Sequence, residues 1–113
     1  MYELKDLNWI REYPDDLSTY KNIIDLYENK KEGEKIFNFT LTMQNPGSYT
    51  YEGDDFENTV IAMDGQYPKL NQYLSLIKIA DESLKYLIDY FSNQEEHTII
   101  VLFGDHQPYV EDE

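Results

Sequence analysis

Apolar residues recur at spacings of three and four from Leu70 to Phe91, through Tyr73, Leu74, Ile77, Ala80, Leu84, Leu87 and Ile88. That period puts them on one face of a long helix. Lys69, Lys78, Asp81, Glu82, Lys85 and Asp89 fall mostly on the other faces. Pro68 stands in the first turn, where a missing N–H costs nothing. A shorter helix is predicted after Pro14-Asp15-Asp16, whose carboxylates suit the positive end of the helix dipole. Leu17, Tyr20, Ile23, Ile24 and Tyr27 form its apolar face, and Lys30-Lys31 with Gly33 mark its end. Between the helices the period changes to two. Phe37, Phe39, Leu41 and Met43 alternate with Asn38, Thr40 and Thr42, which predicts a strand over 35–43. Residues 98–103 are continuously apolar and rich in β-branched side chains, the pattern of a strand covered on both faces.

The rest of the chain connects these elements. Residues 1–16 read as a connector; Leu4, Leu7, Trp9 and Ile10 show no sustained period and suggest at most a short turn of helix. Gln44-Asn45-Pro46-Gly47-Ser48-Tyr49 is a turn by composition. Residues 50–66 are polar and acidic and read as a long loop. Residues 17–113 therefore form an α-β-loop-α-β segment, and the fold class is α/β. A strand-helix-strand unit joins parallel strands by a right-handed crossover. Parallel strands end on the same side, so Gln44-Asn45 and Asp105-His106 are expected to face one crevice.

Composition narrows the classes of function. The 113 residues make one domain or a piece of a larger one. With 9 basic against 23 acidic residues the formal charge is −14, which excludes a phosphate-backbone footprint and so nucleic acid as a partner. No cysteine is present, so thiol catalysis, disulfides and cysteine zinc sites are excluded. No apolar stretch approaches the ~18–20 residues of a membrane span. Met1-Tyr2-Glu3-Leu4 lacks the basic and apolar regions of a secretion signal.

The chemistry concentrates at Gly104-Asp105-His106, just past the last predicted strand. Asp105 offers a hard anionic oxygen and His106 a neutral nitrogen, a pair suited to Mn²⁺ or Zn²⁺. Gly104 is expected to let the backbone turn tightly there. His97 follows Glu95-Glu96 at the opposite end of the strand and reads as a surface histidine. Glu52, Asp54, Asp55 and Glu57 lack EF-hand spacing and read as a solvated loop rather than a calcium site. Tyr20, Tyr27 and Tyr73 lie on core faces, which favours packing over a carbohydrate platform.

The residues from Phe37 to Tyr49, Tyr73 to Phe91 and Ile99 to Pro108, taken together, resemble the C-terminal part of the sulfatase domain of lipoteichoic acid synthases. These are phosphoglycerol transferases of the alkaline phosphatase superfamily. The Thr42-Met43-Gln44-Asn45 turn and the Gly104-Asp105-His106 strand end carry the likeness. The resemblance implies a fragment of a three-layer sandwich on the extracytoplasmic face of a bacterial membrane. It further implies a divalent metal, Mn²⁺ in the first place with Zn²⁺ or Ca²⁺ as alternatives. Its substrate would be a glycerophospholipid or polyol phosphate. Asp105 and His106 match metal ligands, and Gln44 and Asn45 would line the substrate side. The family's threonine nucleophile and a further acidic ligand lie upstream of the matched region, so no catalytic residue is assigned in this chain. The isolated segment is expected to be inactive and to need the upstream half of its domain. An exposed sheet edge could otherwise drive dimerisation. One departure is plain: the family's turn commonly reads Asn-His-Gly, and here it is Asn45-Pro46-Gly47. That proline is the support for a second reading, a non-catalytic binding or scaffold module of the same fold. A third reading is an unrelated acidic α/β domain in which Asp105-His106 is incidental.

Overall fold

The computed structural model describes residues 3–111; Met1 and Tyr2 of the expected connector, and Asp112 and Glu113, lie outside the described residues. The connector contains a hairpin that periodicity did not predict. β1 (Trp9–Ile10) pairs antiparallel with β2 (Tyr13–Pro14), with Ile10 opposite Tyr13. Its two-residue loop, Arg11-Glu12, has φ of 51° and 73°. Positive φ at both central positions is the primed-turn geometry that matches strand twist. Neither residue is glycine, so the conformation costs on the order of 1 kcal/mol per residue and must be held by contacts elsewhere.

α1 (Asp16–Glu28) opens on Asp15, whose carboxylate accepts from Ser18 N–H at 2.7 Å. It closes at Asn29, whose N–H bonds to Asp25 O. Gly33 has φ of 78° but stands beyond that cap, so it turns the following loop. Lys30 bonds to Glu96 at 2.8 Å and so ties the end of α1 to the end of the second helix. That helix, α2 (Pro68–Ser92), carries Pro68 in its first turn as expected.

The two helices pack through Tyr20, Ile24 and Leu87, with Ile23, Leu84, Tyr90 and Phe91 around them. Tyr27 meets Phe91 edge to face at 5.2 Å. Gln44 links Asp16, in the first turn of α1, to Leu76 in the middle of α2, and near the ends of both helices Tyr90 OH donates to Glu28. α1 and α2 therefore run in the same direction. A second face of α2 is polar and works as a rack for the long loop. Asn71 Oδ1 accepts from Ala62 N–H, Ser75 Oγ from Thr59 and Val60 N–H, and Gln72 makes a reciprocal pair with Tyr51. These three side chains are buried, Ser75 at 0% exposure.

The two predicted strands differ from expectation. Among the described residues, 35–43 and 98–103 join no hydrogen-bonded ladder. Phe37 is 94% exposed, Phe39 73%, Ile99 91% and Val101 77%. A strand exists only through a neighbour, and a buried parallel strand needs one on each side plus a covered face. The periodic signal was present, and the partners are not among the described residues. The direction of both segments still fits the expected unit. Chain 30–44 runs from Glu96 at the end of α2 back to Leu76. Chain 98–111 starts where Thr98 and Ile100 share a groove with Ile88, Phe91 and Ser92, and ends where Glu111 O accepts from Lys69. Both segments run counter to α2, hence parallel to each other, as an α/β unit requires.

Candidate functional site

The turn at 44–49 is fastened from the inside. Gln44 is 1% exposed: its Oε1 accepts from Asp16 N–H at 3.1 Å, and its Nε2 donates to Asn45 Oδ1 at 3.0 Å and Leu76 O at 3.4 Å. One side chain thus joins the first turn of α1, the middle of α2 and the turn itself. Tyr49, also buried, donates its hydroxyl to Asn45 O at 3.2 Å and stacks edgewise on Tyr73 at 5.2 Å. Asn45 and Pro46 are half-buried, and Gly47 and Ser48 are exposed. Gln44 thus sits beneath the turn, and Asn45 at its surface.

Two charged residues that the sequence did not mark as site candidates lie beneath this turn. Arg11 is 3% exposed, and its Nη2 donates to Pro46 O at 2.8 Å and Ser48 O at 3.4 Å. Its guanidinium stands over the Tyr49 ring at 5.7 Å. Burial lowers its pKa, against the favourable field of Tyr49, Tyr13 and Tyr51. Its Nε and Nη1 find no partner. Arg11 N–H also donates to Asp55 Oδ2 at 3.1 Å, while Tyr51 OH bonds to the same carboxylate. Tyr51 folds over Gly53 to get there, and a Cβ at position 53 would collide with its ring. Asp16 is 3% exposed with Oδ1 unpartnered. Burial raises its pKa to about 6, opposed by a backbone hydrogen bond from Gln44. No sequence signal marked Arg11, since its stretch has no period. Asp16 was legible only as a helix opener.

Asp105 and His106 are side by side and exposed, at 71% and 77% of their side-chain area. Asp105 Oδ1 accepts from His106 N–H at 2.8 Å, and Asp105 Oδ2 lies 3.5 Å from His106 Nε2. His106 Nδ1 is 2.9 Å from Gln107 O. An Nδ1–H tautomer satisfies that carbonyl and leaves the Nε2 lone pair beside the carboxylate, the usual orientation of a ligating imidazole. Two donors on one tetrahedral ion at about 2.0–2.2 Å stand roughly 3.3–3.6 Å apart, so the pair fits half of a ligand set. Among the described residues no cluster of three or more His, Asp or Glu could complete it. The backbone bends at Asp105-His106, but Gly104 has no left-handed φ and a Cβ there would meet nothing within 4 Å, so the bend does not depend on the glycine. His97 is exposed, as expected.

An internally braced turn and a carboxylate–imidazole pair stand at the ends of two segments that run the same way beside one helix, an arrangement consistent with an α/β fold. The chain belongs to the sulfatase family, whose model matches residues 1–113. Over 80 residues it is 36% identical to a Rhizobium meliloti (strain 1021) protein described as a "Putative cyclic beta-1,2-glucan modification protein". That match covers 66% of this chain and 12% of the relative, so the chain spans a small part of the relative's length. No solved structure matches the chain. Members of this superfamily generally use a divalent metal. No helix among the described residues is long and apolar enough to cross a membrane.

Proposed function

We propose that this chain is the metal-side segment of a metal-dependent transferase or hydrolase that acts on phosphate or sulfate esters at the cell envelope. Within that class, a phosphoglycerol transferase is the preferred reading and Mn²⁺ the preferred metal. The observation that carries the proposal is the Asp105–His106 pair, 3.5 Å apart with Nε2 oriented toward the carboxylate, in a chain of the sulfatase family. The relative's name, which refers to glucan modification, favours an envelope polyol or glycan as one of the substrates.

In this reading Asp105 and His106 would hold the ion, and residues upstream would complete the set. A bound divalent cation would supply charge stabilisation at the ester's oxygen and would acidify the attacking group. Asn45, at the surface of the turn, offers an amide to a substrate oxygen, and Gln44 positions it from below. The nucleophile is an upstream threonine, as the resemblance implies. The exposed faces of 36–43 and 99–103 then pack into the sheet of the same domain. Dimerisation through them is the alternative that a light-scattering mass would expose.

The test is ester turnover by the full-length protein, with p-nitrophenyl phosphate, p-nitrophenyl sulfate and phosphatidylglycerol vesicles as probes and with or without Mn²⁺. Release that needs the metal and is lost in Asp105→Ala supports the proposal. Turnover equal in wild type and Asp105→Ala would refute it. Pro46 favours a second reading, a non-catalytic binding module. Metal binding without turnover of any ester would select that one.

A further inference from the structure

We propose that Arg11 is the positioning residue of the Asn45–Ser48 turn, an inference that rests on the reading that this turn lines the substrate crevice. The turn contains Pro46, which has no N–H and so cannot tie the loop to itself through that residue. Only its carbonyl can be held, and Arg11 Nη2 holds it at 2.8 Å while also reaching Ser48 O at 3.4 Å. The contact spans 35 positions of sequence, so the hairpin braces the turn from outside its own segment.

Three further observations favour this role over simple packing. Arg11 is 3% exposed, and among the described residues no carboxylate side chain lies within ion-pair distance of its guanidinium. A buried cation left without a counter-charge is costly. Its compensation comes from the turn's carbonyls and the face of Tyr49 at 5.7 Å, a planar arrangement that an ammonium does not reproduce. The backbone of Arg11 sits at a φ of 51° and is held there by the Asp55 carboxylate. Tyr49 in turn reaches Asn45 O. Arg11, Tyr49 and Asp55 thus form one network that fixes the backbone from which Asn45 projects, while Gln44 holds the Asn45 amide itself. A side-chain amide that must meet a substrate oxygen gains most from such preorganisation.

The experiment uses the full-length protein with Arg11→Met, which keeps bulk, and Arg11→Lys, which keeps charge. Hydrogen exchange of the peptide covering 44–52 is measured beside kcat and KM for p-nitrophenyl phosphate. The expected result is exchange faster by about tenfold in Arg11→Met, the value of one such hydrogen bond, with α2 amides unchanged. KM rises by a similar factor with a smaller change in kcat, and Arg11→Lys falls between. Unchanged exchange at 44–52 overturns the proposal, as does a loosened turn with unaltered KM. If Arg11→Met does not fold, Arg11→Lys decides on the same two readouts. Absence of ester turnover in the wild type would sink the functional reading alone, because the exchange measurement would still settle the brace.

Discussion

Gln44 shows how a polar residue in a turn can hold a structural role that its type does not announce. In the sequence it is a polar residue in a turn, a natural substrate contact. In the structure its amide is spent on Asp16 N–H, Asn45 Oδ1 and Leu76 O at 1% exposure. Gln44→Ala is expected to destabilise the protein by about 1–3 kcal/mol, because it leaves a buried N–H unpaired; urea denaturation checks this. Asp16 carries a pH signature. Its pKa is raised to about 6 from 3.8, so the folded state binds a proton that the unfolded state has released. Stability from this group is therefore complete below about pH 4 and declines as pH rises through 6, by up to about 3 kcal/mol. Asp16→Asn should raise the urea midpoint at pH 7 and flatten its dependence between pH 4 and 7. An unchanged slope would contradict the assignment. Neither role could be read from the sequence, because burial of a polar residue depends on which segments close over it. Asp105-His106 stands out as a candidate in the sequence because glycine, carboxylate and imidazole are adjacent after an apolar run.

At the scale of elements, both helices were legible within a residue or two, since their periods are strong and their openers are Asp15 and Pro68. The hairpin was missed because two-residue strands have no period and Arg11-Glu12 is not a usual primed-turn pair. The polar face of α2 was missed for a different reason. Asn71, Gln72 and Ser75 look like solvent-facing residues until the loop's N–H groups are laid upon them. Leu76 is fully buried against this junction, and Leu76→Ala should cost about 3 kcal/mol; thermal or urea unfolding reads it. The segments 35–43 and 98–103 have strand patterns and exposed faces together. They are expected to exchange amide hydrogens rapidly in the 113-residue chain and to be protected in the full-length protein. Equal exchange in both settings would mean that they are not sheet strands.

For the whole molecule, the family is fixed by the match over residues 1–113, and the arrangement of parts agrees with it. Two helices run together, and two apolar segments run against them. The braced turn ends one segment and the Asp105-His106 pair follows the other. What the chain lacks among its described residues is a complete donor set, since two ligands do not make a metal site. The central claim is that these two residues serve an ion completed elsewhere in the protein. Its most direct test is titration calorimetry of Mn²⁺ into the metal-stripped full-length protein, compared with Asp105→Ala and His106→Ala at equal folding. The account predicts one tight site in the wild type, weakened at least about tenfold in either variant. Identical binding in all three proteins would contradict it.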